Sequence, residues 1–150
     1  MDDAINEPIQ LSFPLPRSLD TRIYLRLTIK QKVIMLFLTT VAAEEDNNAV
    51  PMGSFVYALP DKYNPSQPLS TTIYSVEATL EFTTRLAKIL AKKTQMPIYV
   101  GNSISFANTG LGGTVEEEME AFKKVVEVTL AKLQGVIKPP DSLSNGTSSS

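Results

Sequence analysis

The 150-residue sequence contains no cysteine and no histidine. Without cysteine there can be no disulfide, thiolate nucleophile or cysteine-ligated zinc. Without histidine, Ser–His and Cys–His nucleophile pairs, imidazole metal ligands and a near-neutral general base are also excluded. Catalysis would rest on carboxylates, lysine or tyrosine with shifted pKa. The expectation is therefore a protein that is not an enzyme and needs neither cofactor nor metal. The net charge of -2 supplies no concentrated basic surface for nucleic acid. Long hydrophobic runs are missing as well: the most apolar stretch, Val33 to Leu38, falls far short of the roughly 20 residues of a membrane span. The N-terminus is acidic and polar, unlike the basic start and apolar run of a signal peptide. A soluble protein of the cytoplasm is expected, with the nucleus as a further compartment, and the Asn145-Gly146-Thr147 sequon carries no weight without a secretory route.

What is present is period-two alternation followed by helical periodicity. Ile9, Leu11 and Phe13 alternate with polar residues, a first strand that Pro14 and Pro16 are expected to end. Arg17 to Thr21 reads as a turn. Next, Ile23, Leu25, Leu27 and Ile29 point one way while Arg22, Tyr24, Arg26, Thr28 and Lys30 point the other, predicting an antiparallel strand with one wet, basic face. Through a short Gln31-Lys32 connection the chain enters Val33 to Val41, where both parities are apolar. Met52 to Leu59 is apolar on both parities too, with Phe55, Tyr57 and Leu59 opposing Val56 and Ala58. Such strands are covered on both faces. Between them, Ala43 to Asn48 is an acidic loop without the spacing or glycine of a calcium loop. Three prolines make Pro60 to Pro68 a surface loop, and Leu69 to Tyr74 follows as a short strand.

The chain is organised around a helix from about Val76 to Thr94 and a strand from about Pro97 to Phe106. Glu77, Glu81, Thr84, Arg85, Lys88 and Lys92 form one narrow stripe, and apolar residues fill more than half of the circumference. A helix so wide in its apolar arc is expected to be covered both by a sheet and by a second helix or a partner. Ser75 is a candidate cap. After the glycine-rich Ala107 to Gly113 come Thr114 and Glu116, Glu117 and Glu118. Three carboxylates there repel phosphate, and Thr114 with Glu117 spells a capping box instead. The last helix runs to about Gln134 with Val115, Met119, Phe122, Val126, Leu130 and Leu133 as its stripe. Glu120 and Lys124 are spaced as an ion pair, and Gly135 is placed to end the helix. The organisation expected is a loose segment 1–8, one domain over 9–135, and a disordered tail over 136–150.

Together these elements predict an α+β domain: a mostly antiparallel sheet of about six strands with two main helices on one face. With no chain left for the other face, the economical cover is another subunit packing sheet to sheet. Phe37, Phe55 and Tyr57 are the candidate dimer residues, because aromatic side chains concentrate at interfaces. The basic residues Arg22, Arg26 and Lys30 are the candidate contacts for a second partner.

Two stretches resemble a known family. Leu86-Ala87-Lys88-Ile89-Leu90-Ala91-Lys92-Lys93-Thr94, followed by Ile98-Tyr99-Val100-Gly101-Asn102, is similar to the helix–strand signature of proteasome assembly chaperone 4. Glu117-Glu118-Met119-Glu120-Ala121-Phe122 resembles that family's E-E-M-E-A-F segment. The similarity spans about Ile9 to Phe122. It implies a small chaperone that pairs with proteasome assembly chaperone 3, binds alpha-type subunits transiently, and guides assembly of the 20S alpha ring. The Pro60–Pro68 loop, the long last helix and the serine-rich tail depart from the family pattern. Two other readings compete: a ligand-binding domain or enzyme using residues 102–117 with Glu116 or Glu117, and a generic dimeric scaffold.

Overall fold

In the computed structural model the described residues are 8–15, 18–42, 53–106 and 114–136. The N-terminal segment 1–7, the acidic loop, Met52, the glycine-rich loop 107–113 and the tail from 137 lie outside them. Strands β1 (Ile9–Leu15), β2 (Ser18–Ile29), β3 (Ile34–Ala42), β4 (Ser54–Leu59) and β5 (Leu69–Tyr74) precede helix α1 (Glu77–Thr94). Strand β6 (Ile98–Ser103) and helix α2 (Val115–Val136) complete the order. One six-stranded sheet has the order β1-β2-β3-β6-β4-β5, parallel only between β3 and β6 and antiparallel at every other pairing. The predicted α+β architecture is therefore correct, with one refinement. Helix α1 returns the chain so that β6 enters the middle of the sheet, between β3 and β4.

Alternation decides which face each side chain takes. Ile23, Leu25, Leu27, Ile34, Leu36, Leu38, Val56, Ala58, Ile98 and Val100 are buried in one core. Leu86, Ala87, Leu90 and Ala91 of α1 join it, as do Ala121, Val125 and Leu133 of α2, so both helices share this face. The double cover expected for α1 is also present. Its inner side lies on β4 and β6, while Phe82 meets Phe122 of α2 edge-on at 5.3 Å. The Arg85 guanidinium sits 5.4 Å from the centre of the Phe122 ring, a cation–π contact that also covers the aromatic surface.

Several boundaries differ from expectation for identifiable reasons. Pro14 does not end β1, which continues to Leu15 with Pro14 opposite Arg22. An edge strand tolerates proline because half of its N–H groups need no partner. Strand β2 already starts at Ser18, inside the expected turn. Gly135 lies within α2 rather than capping it. Lys124 reaches Glu127 at 3.7 Å, an exposed pair contributing a few tenths of a kcal/mol at about the level of other surface pairs. Glu117 is fully buried between exposed Glu116 and Glu118; its N–H donates to the Thr114 hydroxyl at 3.2 Å, one half of the expected capping box.

Ser75 does not cap α1. Val76 holds the cap position without a side-chain bond of its own. The capping groups come from the sheet instead. The Val76 N–H donates to Ser54 Oγ at 2.9 Å, and Ser54 Oγ donates to the Val76 carbonyl at 3.0 Å. Thr79 Oγ1 accepts the Ser54 N–H at 3.0 Å and donates to Ser54 Oγ at 2.9 Å. Both side chains are buried, so any group left without a partner carries its full desolvation cost. Ser54→Ala is expected to destabilise the domain by about 1–3 kcal/mol, read as a lowered urea midpoint with unchanged slope.

Candidate functional site: the open face of the sheet

The parity opposite the core forms the second face of the sheet. Phe37 on β3, Phe55 and Tyr57 on β4 and Tyr99 on β6 lie there, and they touch one another. Phe37 and Phe55 stack with centroids 6.0 Å apart and Phe55 and Tyr99 at 5.6 Å, while Tyr57 and Tyr99 meet tilted at 4.6 Å. The three sequence-designated residues are thus brought into one ladder. Tyr99 is a fourth member that was not designated from the sequence. The available signal was Tyr99-x-Gly101 on the same parity.

Gly101 explains how two rings from non-adjacent strands can meet. It stands opposite Phe37 in the parallel pairing and opposite Phe55 in the antiparallel one. A Cβ at Gly101 would sit 2.7 and 2.9 Å from Phe37 ring carbons and 3.4 Å from Phe55. The missing side chain therefore opens the gap that these rings close. Stacking at such distances contributes roughly 0.5–1.5 kcal/mol per pair beyond area burial. Beside Phe37 a notch of about 350 Å³ is lined by Tyr24, Arg26, Thr39, Gly53, Gly101 and Ser103 among others. Phe37 and Tyr24 remain 39% and 44% exposed. Large rings clustered in the open are the mark of a surface that meets a partner.

The basic candidates do not form a separate surface. Arg26 is the direct cross-strand neighbour of Phe37, on the same face as the ladder. Arg22 shares that parity and is engaged: its Nε and Nη2 donate to Ser12 Oγ at 3.2 and 3.1 Å, and Nη2 donates to the Ser12 carbonyl at 3.1 Å. It clips β1 to β2. Lys30 lies beyond the end of β2, in a turn closed by its N–H to the Val33 carbonyl at 2.9 Å. Glu116 and Glu117, the carboxylates of the competing reading, are not among the residues that line the notch, and residues 107–113 of that reading lie outside the described residues. Among the described residues there is no cluster of metal-binding side chains and no helix long and apolar enough to cross a membrane.

The architecture is a mixed sheet with both helices on one side and an aromatic ladder on the other. Residues 22–104, more than half of the chain, match the proteasome assembly chaperone 4 family, and the chain belongs to that family. The fold is similar to a chain in the crystal structure of a novel chaperone complex for yeast 20S proteasome assembly, with a TM-score of 0.58 at 12% identity. That alignment covers 89% of this chain and 99% of the yeast-complex chain. No curated protein matches by sequence.

Proposed function

We propose that the chain pairs through its open face with a chaperone of the proteasome assembly chaperone 3 type. The heterodimer then binds alpha-type subunits transiently during assembly of the 20S alpha ring. The observation that carries this reading is the aromatic ladder, half-buried with Phe37 exposed, on a sheet whose other face is already filled. Family membership supplies the assembly role, and the likeness to a chain from a chaperone complex for yeast 20S proteasome assembly is consistent with it. A partner sheet packs at about 10 Å and buries the rings between the two layers. Arg26, next to Phe37, lies within reach of the same partner and contributes orientation more than affinity. The activity is binding alone, without a cofactor, in the cytoplasm and the nucleus.

Affinity purification of the tagged full-length chain from its own cells, followed by native mass determination, tests this reading. A second small chaperone should elute with the chain, together with alpha-type but not mature beta-type subunits. A homodimer alone, or unrelated partners, would remove the proposal and leave the fold unchanged.

A further inference from the structure

One end of the domain carries a group of lysines with no structural task. The Ile34 N–H donates to the Pro97 carbonyl at 3.0 Å, tying the 30–33 turn to the link between α1 and β6. Lys30 and Lys32 in that turn are therefore at the same end of the domain as Lys92 and Lys93 in the last turn of α1. Lys88 follows one helical turn back, and all five are exposed. None forms an ion pair among the described residues.

Lysines in a last helical turn commonly answer the unpaired carbonyls there. Here other groups do so. The Leu90 carbonyl accepts the Thr94 hydroxyl at 2.7 Å, the Ala91 carbonyl the Gln95 N–H at 2.8 Å, and the Lys92 carbonyl Gln95 Nε2 at 2.7 Å. The ammonium groups are left to the solvent. Acidic residues are concentrated elsewhere: Glu77 and Glu81 in the first half of α1, and Glu116, Glu117 and Glu118 in the first turn of α2. Asp61, in the loop after β4, is at the lysine end, since Ala58 pairs with Ile98, but its carboxylate is engaged by the Tyr63 N–H at 2.9 Å. Charge is thus separated along the molecule although its sum is only -2.

We propose that this lysine end is a second docking surface, for an acidic patch on a protein partner, used while the open face is occupied. It rests on the reading that a partner chaperone takes the open face; the second partner is then the alpha-type subunit. The ends of the strands stay accessible when the face is covered, whereas Arg22 and Arg26 lie on the covered side. A protein fits better than nucleic acid, because a long polyanion would also meet the acidic remainder of a net-negative domain. Charge complementarity of this kind speeds and orients encounter and leaves a contact that salt and competing surfaces can release.

The test compares Lys32→Glu/Lys92→Glu/Lys93→Glu with Lys123→Glu/Lys124→Glu/Lys132→Glu, which changes net charge equally on α2. Each full-length chain is co-purified from its own cells, and the two partners are read as separate species by native mass spectrometry at low and physiological salt. The first variant should keep the partner chaperone and lose alpha-type subunits about tenfold or more, and the second should lose them less than about twofold. Wild-type capture should fall as salt rises. Equal losses in both variants, or none in the first, would overturn the proposal, as would binding of a nucleic-acid probe that the first variant alone abolishes. Loss of the partner chaperone from the first variant would place these lysines in the dimer interface and overturn it as well. A wild-type chain that retains its chaperone but captures no alpha-type subunit would defeat this proposal and the alpha-ring role, leaving the open-face pairing intact.

Discussion

Tyr99→Glu is expected to abolish capture of the partner chaperone while leaving the domain folded. Tyr99 is the junction of the ladder, in contact with Phe55 on one side and Tyr57 on the other. In the free chain it is half-buried, so a carboxylate there can still reach water. Beneath a second sheet it would be an unpaired buried charge, costing about 3–5 kcal/mol. That corresponds to a loss of at least about a hundredfold in affinity. Co-purification measures the first effect and a urea transition the second. Met119→Glu on α2, also at an exposed apolar side chain, serves as the comparison and should retain the partner. If Tyr99→Glu still brings the chaperone down at wild-type yield, the open face is not where the two proteins meet.

The second large effect separates two glycines that look equivalent in the sequence. At Gly53 a Cβ would overlap the Asn102 carbonyl oxygen and lie 2.6 Å from its carbon and 2.7 Å from the Ser103 Cα. Those are backbone atoms at the point where β4 meets β6, and they cannot swing aside. Gly53→Ala is expected to cost about 3 kcal/mol or more of stability, measured as a shift in the denaturation midpoint. Gly101→Ala meets only the Phe37 ring at such short range. A side chain can rotate, so the stability loss should stay near about 1 kcal/mol. Displacing Phe37 breaks its stack with Phe55, and partner affinity should fall by about tenfold, equivalent to the roughly 1.4 kcal/mol of one such contact. Equal stability losses for both variants would contradict this division between backbone and ring contacts.

The strands and helices were legible where periodicity is strong. Residues 23–29 alternate without exception, and the doubly apolar runs of β3 and β4 do belong to two faces, one filled by the helices and one bearing the ladder. What the local pattern could not carry was pairing across long separations. Ile34 stands beside Ile98 in the sheet, and nothing in either segment announces the other. The same limit hid the position of Arg26 next to Phe37, and with it the sharing of one surface by residues assigned to two partners. Tyr99 was overlooked because a lone aromatic between small residues reads as polar surface until β4 supplies its neighbours. The burial of Glu117 was likewise invisible, since neighbouring Glu116 and Glu118 are exposed.

The bonds from Ser54 and Thr79 at the start of α1 have a kinetic consequence. Ser54 is 22 residues from Val76, so these bonds cannot form while the helix is an isolated segment. A helix nucleus is costly, and one lacking an adjacent cap starts at a further disadvantage. The C-terminal half, closed by the local Thr94 and Gln95 bonds, can become ordered early. The first turn must wait until β4 has been brought against it. Amide exchange in native conditions should record that sequence: Thr79, whose N–H bonds the Val76 carbonyl at 2.9 Å, opens with the sheet rather than fraying as a helix end would. Helix and sheet are thereby joined in a single cooperative unit, and a chaperone whose partner binds one face of that sheet would steady α1 from the far side.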